Sequence, residues 1–199
     1  TYLPFGHIVP QGDTTGIPVR LSDAMELIDR TTDFIVSNQH LQLVDELATS
    51  KRFKNIKLLN YVDEYDPDVQ KQFAAMTYRL SLDAYLVVFR GTDDTLIGWK
   101  EDFHMTYMDH VPAQKRAASY LQHVMKEFPK GRFLVAGHSK GGNLATYACT
   151  YLPDSLFERV DAIYSYDAPG LNKAIIETEG YQRTSPNIRR FVPQGSIVG

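Results

Sequence analysis

The sequence holds a single cysteine, Cys149, among 199 residues. One thiol cannot close an internal disulfide, so a disulfide-stapled scaffold is excluded. No charged-then-apolar leader stands at the N-terminus, and the two observations together place the expected compartment in the cytosol. Long apolar runs are also missing. The longest, such as residues 85–89 (Tyr-Leu-Val-Val-Phe), fall far short of the roughly 20 residues that a spanning helix needs, so no membrane span is expected. Nor is there an excess of positive charge. Lys+Arg number 21 against 24 Asp+Glu, the net charge is −3 and the pI about 6.0. With acids and bases interspersed there is no basic stripe to neutralise phosphates, which argues against a nucleic-acid partner. The histidines lack metal-ligand spacing, and no Walker or dinucleotide fingerprint occurs, so neither a metal nor an organic cofactor is expected.

What is present is enough for a core: 43% of residues are hydrophobic and 12% aromatic, and the length suits one domain. Residues 1–20, punctuated by Gly6, Pro10, Gly12, Gly16 and Pro18, read as irregular. Ser22 is then expected to cap a helix carrying Met25, Leu27, Ile28 and reaching towards Phe34, followed by a second helix with Leu41, Val44, Leu47 and Ala48 on one face. Residues 56–62 alternate as a strand, 66–68 form a turn, and 73–80 with 85–89 make a hairpin around residues 81–83. From there the rhythm changes to helix 113–128, strand 133–136, helix 142–152, strand 160–166, helix 171–179 and strand 188–192. That alternation predicts an α/β fold: a mostly parallel central sheet with antiparallel N-terminal strands and helices on both faces.

The most informative stretch is Gly137-His138-Ser139-Lys140-Gly141, a G-x-S-x-G pattern at a strand-to-helix junction. Such a turn strains the serine backbone and exposes its hydroxyl above the sheet, and it tolerates only glycine two positions to either side. The helix that follows turns its positive end and first amides towards any oxyanion formed there. The alternative is a Gly-rich turn with an ordinary exposed serine. Earlier, Arg90-Gly91-Thr92-Asp93-Asp94 follows a strand. Gly91 permits close approach of the backbone, so the amides of Thr92 and Lys140 could form a two-donor oxyanion hole. A β-turn salt-bridged by Arg90 and the two aspartates is the competing reading. The single tryptophan, Trp99, reads as core.

Residues 89–92 (Phe-Arg-Gly-Thr), Trp99, Asp102 and residues 137–142 (Gly-His-Ser-Lys-Gly-Gly) resemble the class 3 lipase branch of the α/β-hydrolases. With residues 98–103, 137–145 and 167–170 included, the chain more closely resembles a bacterial lipase-like family, the Mbeg-like hydrolases. The resemblance implies the α/β-hydrolase fold and serine-hydrolase chemistry. It departs from the lipase pattern in two places. Secreted lipases usually carry Leu after the nucleophile, where Lys140 adds a cation beside the serine; class 3 lipases carry their acid where this chain has Pro193-Gln194-Gly195-Ser196, without a carboxylate.

Asp167, just past strand 160–166, is then the candidate acid, as in another lipase branch; otherwise it caps a turn ahead of Pro169-Gly170. Asp154 and Asp161 lie at the wrong sheet edge and should be solvated, as should the basic residues of 126–132 and 183–190. The base is missing, because the triad order in this fold is Ser, Asp, His and no histidine follows His138. His104 and His110 are the candidates inside the chain; His123 reads as exposed or capping. The chain opens at Thr1 without Met, and the expectation is a single domain over 1–199, truncated at both ends, with its histidine beyond Gly199.

The leading reading is a serine hydrolase cleaving a small-molecule acyl ester or lipid-like substrate through an acyl-enzyme. A hydrolase-fold binding domain with an incomplete triad is the alternative, and a peptidase or thioesterase a third. Oligomeric state is left open.

Overall fold

The computed structural model describes residues 3, 5–12, 16–28, 38–66, 68, 71–92 and 110–196. Among them the sheet has seven strands lying side by side in chain order: β1 Val19–Arg20, β2 Lys57–Asp66, β3 Lys71–Arg79, β4 Ala84–Phe89, β5 Arg132–His138, β6 Val160–Tyr166 and β7 Ile188–Phe191. The ladders from β1 to β4 are antiparallel and those from β4 to β7 parallel. The change falls where the sequence changes rhythm. Short connections join β2 to β3 and β3 to β4 as antiparallel neighbours, and a helix between each later pair of strands returns the chain parallel; β1 is antiparallel to β2 although helical residues 21–27 and 38–49 lie between them.

Seven helices accompany the sheet in the described residues: α1 Leu21–Leu27, α2 Asn38–Thr49, α3 Pro112–Glu127, α4 Lys140–Thr150, α5 Asp154–Phe157, α6 Lys173–Ile176 and α7 Glu179–Thr184. Strand residues alternate between two cores. Phe73, Ala75, Val87, Phe89, Phe133, Val135 and Ile163 pack with α3 and α4, while Leu58, Tyr61 and Met76 pack with α1, α2 and the N-terminal segment. Every residue of α4 is buried. This explains why α4 lacks a polar stripe: it is covered by the sheet, α3 and α7 together.

β2 carries a bulge between Leu59 and Val62, where Asn60 takes φ 51, a left-handed conformation that asparagine tolerates. The bulge turns the Asn60 carbonyl to the Tyr120 hydroxyl at 2.6 Å, and the same hydroxyl meets Thr77 at 2.9 Å. A buried polar chain thereby ties α3 to the sheet.

Several sequence expectations are corrected. Residues 1–20 hold a 3-10 turn at Phe5–His7 and strand β1, and Leu3, Phe5 and Val9 are buried; single apolar anchors between Pro and Gly suffice without any periodicity. Ser22 is not the cap. The N-cap of α1 is Arg20, with no side-chain cap bond, and the Ser22 hydroxyl donates to Asp23. Leu27 is 67% exposed, because Leu21, Ala24, Met25 and Ile28 supply the inward face. Phe34 lies outside the described residues. The single helix expected over 171–179 is two, α6 and α7, parted where the Thr178 hydroxyl accepts the Tyr181 amide and caps the second.

Two arginines are structural: Arg183, which reads as solvated surface in the sequence, and Arg159. Arg183 donates to the carbonyls of Cys149, Thr150 and Leu152 at 3.4, 3.3 and 2.9 Å, with its guanidinium 4.5 Å from the Phe157 ring centroid. Arg159 donates to Met125 and Phe128 carbonyls at 2.7 and 2.8 Å. Each caps a helix C-terminus, α4 and α3 respectively, where carbonyls lack helical partners and the dipole favours a cation.

Candidate active site

Ser139 stands between β5 and α4 with φ 54 and ψ −130, a region that costs a non-glycine residue about 1–3 kcal/mol. Its neighbours explain how the turn closes. A Cβ on Gly137 would lie 2.1 Å from both the carbonyl carbon and oxygen of Gly141, and one on Gly141 would lie 2.3 Å from the Phe89 carbonyl oxygen. Both contacts are with backbone, which cannot move aside. Gly142 is equally confined, its Cβ position being 2.6 Å from the Ala168 methyl. The elbow is thus pressed between the ends of β4 and β6.

Asp167 is the second strained residue at this edge, with φ 44. His138 and Tyr166 are register partners on neighbouring parallel strands, so Ser139 and Asp167 follow at the next position on each. Main-chain bonds lock them: the Ser139 amide donates to the Tyr166 carbonyl at 2.9 Å and the Asp167 amide to the Phe191 carbonyl at 2.7 Å. The Ser196 hydroxyl donates to Asp167 Oδ1. The 193–196 segment, where the class 3 pattern would put a carboxylate, instead supplies a donor that orients one.

Sequence reasoning assigned no role to Gln114 and Asn143, yet they link the site's supports. Gln114 Nε2 donates to Asn143 Oδ1 at 2.9 Å, and Asn143 Nδ2 donates to the Pro169 and Gly170 carbonyls at 3.2 and 3.0 Å. The Val111 amide closes the chain on Gln114 Oε1 at 3.0 Å. The loop that follows Asp167 is therefore held from α3 through the first turn of α4. A buried amide at the fourth residue after the serine was the available signal.

The loop after β4, expected to supply an oxyanion amide, is described as far as Thr92; Gly91 is buried and Thr92 half-buried. Arg90 pairs bidentately with Asp63 on β2, both distances 2.8 Å. Asp93, Asp94, Trp99, Glu101, Asp102 and His104 lie outside the described residues. Lys140 corrects an expectation. Its side chain is 1% exposed, and Nζ donates to the main-chain and side-chain oxygens of Gln72 at 3.0 and 2.8 Å, so the cation is buried against β3. His138 is exposed.

His110 does not join the serine. Its Nδ1 lies 2.9 Å from the Tyr147 hydroxyl, and its ring packs edge-on against Tyr147 and Tyr151. Tyr147 is eight residues beyond Ser139, about 12 Å along the helix axis. Burial, with Tyr151 close by, pushes the Tyr147 phenol up to about 12, so that hydroxyl stays protonated at neutral pH. A cavity of about 410 Å³ opens on this same side, between α3 and α4, lined by Lys115, Gln122, His123, Lys126, Tyr147 and Tyr151. It lies away from the strained strand ends, where the chemistry is placed. Asp154 and Asp161 sit outside the site as expected, paired with Arg183 and Arg132. Cys149 is buried, which pushes its thiol well above the ordinary range and leaves it inert.

A mixed sheet with a strained serine between a parallel strand and a buried helix is the frame of the lipase α/β-hydrolases. The fold superposes with TM-score 0.52 on the lipase of a fungal lipase-inhibitor complex, at 18% identity over 72% of this chain and 59% of that one. Lip2 lipase from Yarrowia lipolytica aligns at TM-score 0.49 and 13% identity over 94% of this chain and 76% of that one. Lipase II from Rhizopus niveus aligns at TM-score 0.49 and 15% identity, over 70% and 58%. This chain spans little more than half the length of the first and last of these. No curated protein sequence matches it. The profile of the Mbeg1-like family matches residues 47–199, and the chain belongs to that family.

Proposed function

We propose that the protein is a serine hydrolase of the lipase/esterase type that cleaves an acyl ester through an acyl-enzyme. The observation that carries this reading is the backbone of Ser139, held at φ 54 by glycines whose replacement would collide with main chain at 2.1–2.3 Å. A binding module has no use for a serine held under strain.

In the first step Ser139 Oγ attacks the ester carbonyl carbon while its proton passes to a histidine base. The C–O bond to the alcohol then breaks, and the alcohol leaves with that proton. Water, activated by the same histidine, hydrolyses the acyl-enzyme. The Thr92 and Lys140 amides stabilise the oxyanion, each worth on the order of 10²–10³ in rate. Asp167 orients the histidine and stabilises its charged form. His110 is engaged by Tyr147, so the base in this reading is a histidine other than His110. The incomplete-triad binding domain remains the second reading, favoured by the engagement of His110.

The test is labelling with a fluorophosphonate followed by peptide mass spectrometry. The adduct is expected on the peptide containing Ser139, and Ser139→Ala should abolish it. Labelling that survives in Ser139→Ala would refute the nucleophile assignment.

A further inference from the structure

Lysine is among the residues least often found wholly buried, yet Lys140 is 1% exposed one position after the serine. Its ammonium is held by two oxygens of Gln72, itself 2% exposed, at 3.0 Å and 2.8 Å. The path of this side chain is informative. Lys140 opens α4 beside β5, and Gln72 lies on β3; β4 runs between those strands. The end of β4 is fastened at the same place, since the Arg90 amide donates to the Ala74 carbonyl, two residues from Gln72. The Phe89 carbonyl oxygen in turn lies where it would meet a Cβ on Gly141 at 2.3 Å. The lysine therefore spans from the elbow to β3 at the point where the loop carrying Gly91 and Thr92 leaves β4.

We infer that Lys140 is a positioning residue, its side chain tethering the first turn of α4 to Gln72 so that the Lys140 and Thr92 amides keep a fixed separation. The inference rests on the serine-hydrolase reading and adds the device that sets its oxyanion site. An aliphatic residue at 140 would fill the space but could not fix the turn, because apolar contact is non-directional, whereas two hydrogen bonds from a charged donor define a position. A displacement of about 1 Å at a donor costs on the order of 10² in rate, so the tether need move only slightly to matter.

The test compares Lys140→Met, Gln72→Leu and Gln72→Glu with wild type by fluorophosphonate labelling and nitrophenyl acetate hydrolysis, each variant checked for folding by circular dichroism. Lys140→Met should lower kcat and the maximal labelling rate about a hundredfold with KM within about twofold. Gln72→Leu, which keeps the main-chain acceptor, should lose about tenfold, and Gln72→Glu, which restores a side-chain acceptor, should recover most of that loss. A role in stability alone would lower the melting temperature without this ordering in kcat. Should Lys140→Met fail to fold, the Gln72 pair decides. Wild-type kcat in a folded Lys140→Met or Gln72→Leu, or a Gln72→Glu as slow as Gln72→Leu, overturns the tether. A wild type that never labels at Ser139 overturns the hydrolase reading itself, and the tether with it.

Discussion

Two residues at the sheet edge adopt left-handed backbone without being glycine, Ser139 at φ 54 and Asp167 at φ 44. Strain of this kind persists only where surrounding contacts over-determine it, and here each residue's amide is fastened to a neighbouring strand. Ser139→Gly should then relieve strain that glycine does not feel. The expected result is a gain of about 1 kcal/mol in unfolding free energy by urea denaturation, together with loss of labelling at this position. A destabilised Ser139→Gly would mean that the turn carries no stored strain. Serine and its glycines were legible in the sequence because the turn lies within five consecutive residues and the Gly137 collision is with Gly141 itself, whereas the Phe89 carbonyl that confines Gly141 lies on another strand. Lys140 was not, because its partner Gln72 is 68 residues away and only strand pairing brings them together. The Asn143 to Gln114 link failed to show for the same reason.

At the scale of elements, what the sequence displayed best was the change from antiparallel to parallel pairing, since turn residues and helix-length inserts are written locally. What it hid was capping over distance. Arg183 reads as one more exposed cation, yet it closes the C-terminus of α4 from α7, stacking on Phe157 and donating to three carbonyls. Arg183→Met should keep the aliphatic cover and lose the donors. The expected cost is about 1.5–3 kcal/mol, measured by urea unfolding, with faster amide exchange confined to the last turn of α4. Unchanged stability and exchange would reduce Arg183 to a surface residue. The split between α6 and α7 has the same character, being set by the Thr178 hydroxyl at a junction that hydrophobic spacing alone does not reveal.

Across the whole molecule, the antiparallel half of the sheet braces the parallel half that carries the site, and a cluster of charges makes part of that brace. Glu64 on β2 binds Lys71 on β3 at 2.9 Å and Arg116 on α3 at 2.8 Å, and Arg116 also lies over the Phe73 ring. Burial raises the Glu64 carboxyl, but the hydrogen bonds and charges of Arg116 and Lys71 outweigh it and hold the group below its ordinary 4.5. A carboxyl with a depressed folded-state pKa contributes stability that is fully present above the unfolded value. That contribution is lost as pH falls through the folded one. The wild type should therefore lose stability between about pH 4.5 and the lower folded value. Glu64→Gln, which keeps the shape without the charge, should be less stable than wild type at pH 7 and lose less on acidification, so the two converge at low pH. The group is partly solvated, so salt should shrink the difference at pH 7. Urea unfolding at pH 7 and at pH 3.5, each at low and high salt, measures all three effects. Parallel pH curves for wild type and Glu64→Gln would show that this carboxylate does not brace α3 against the sheet.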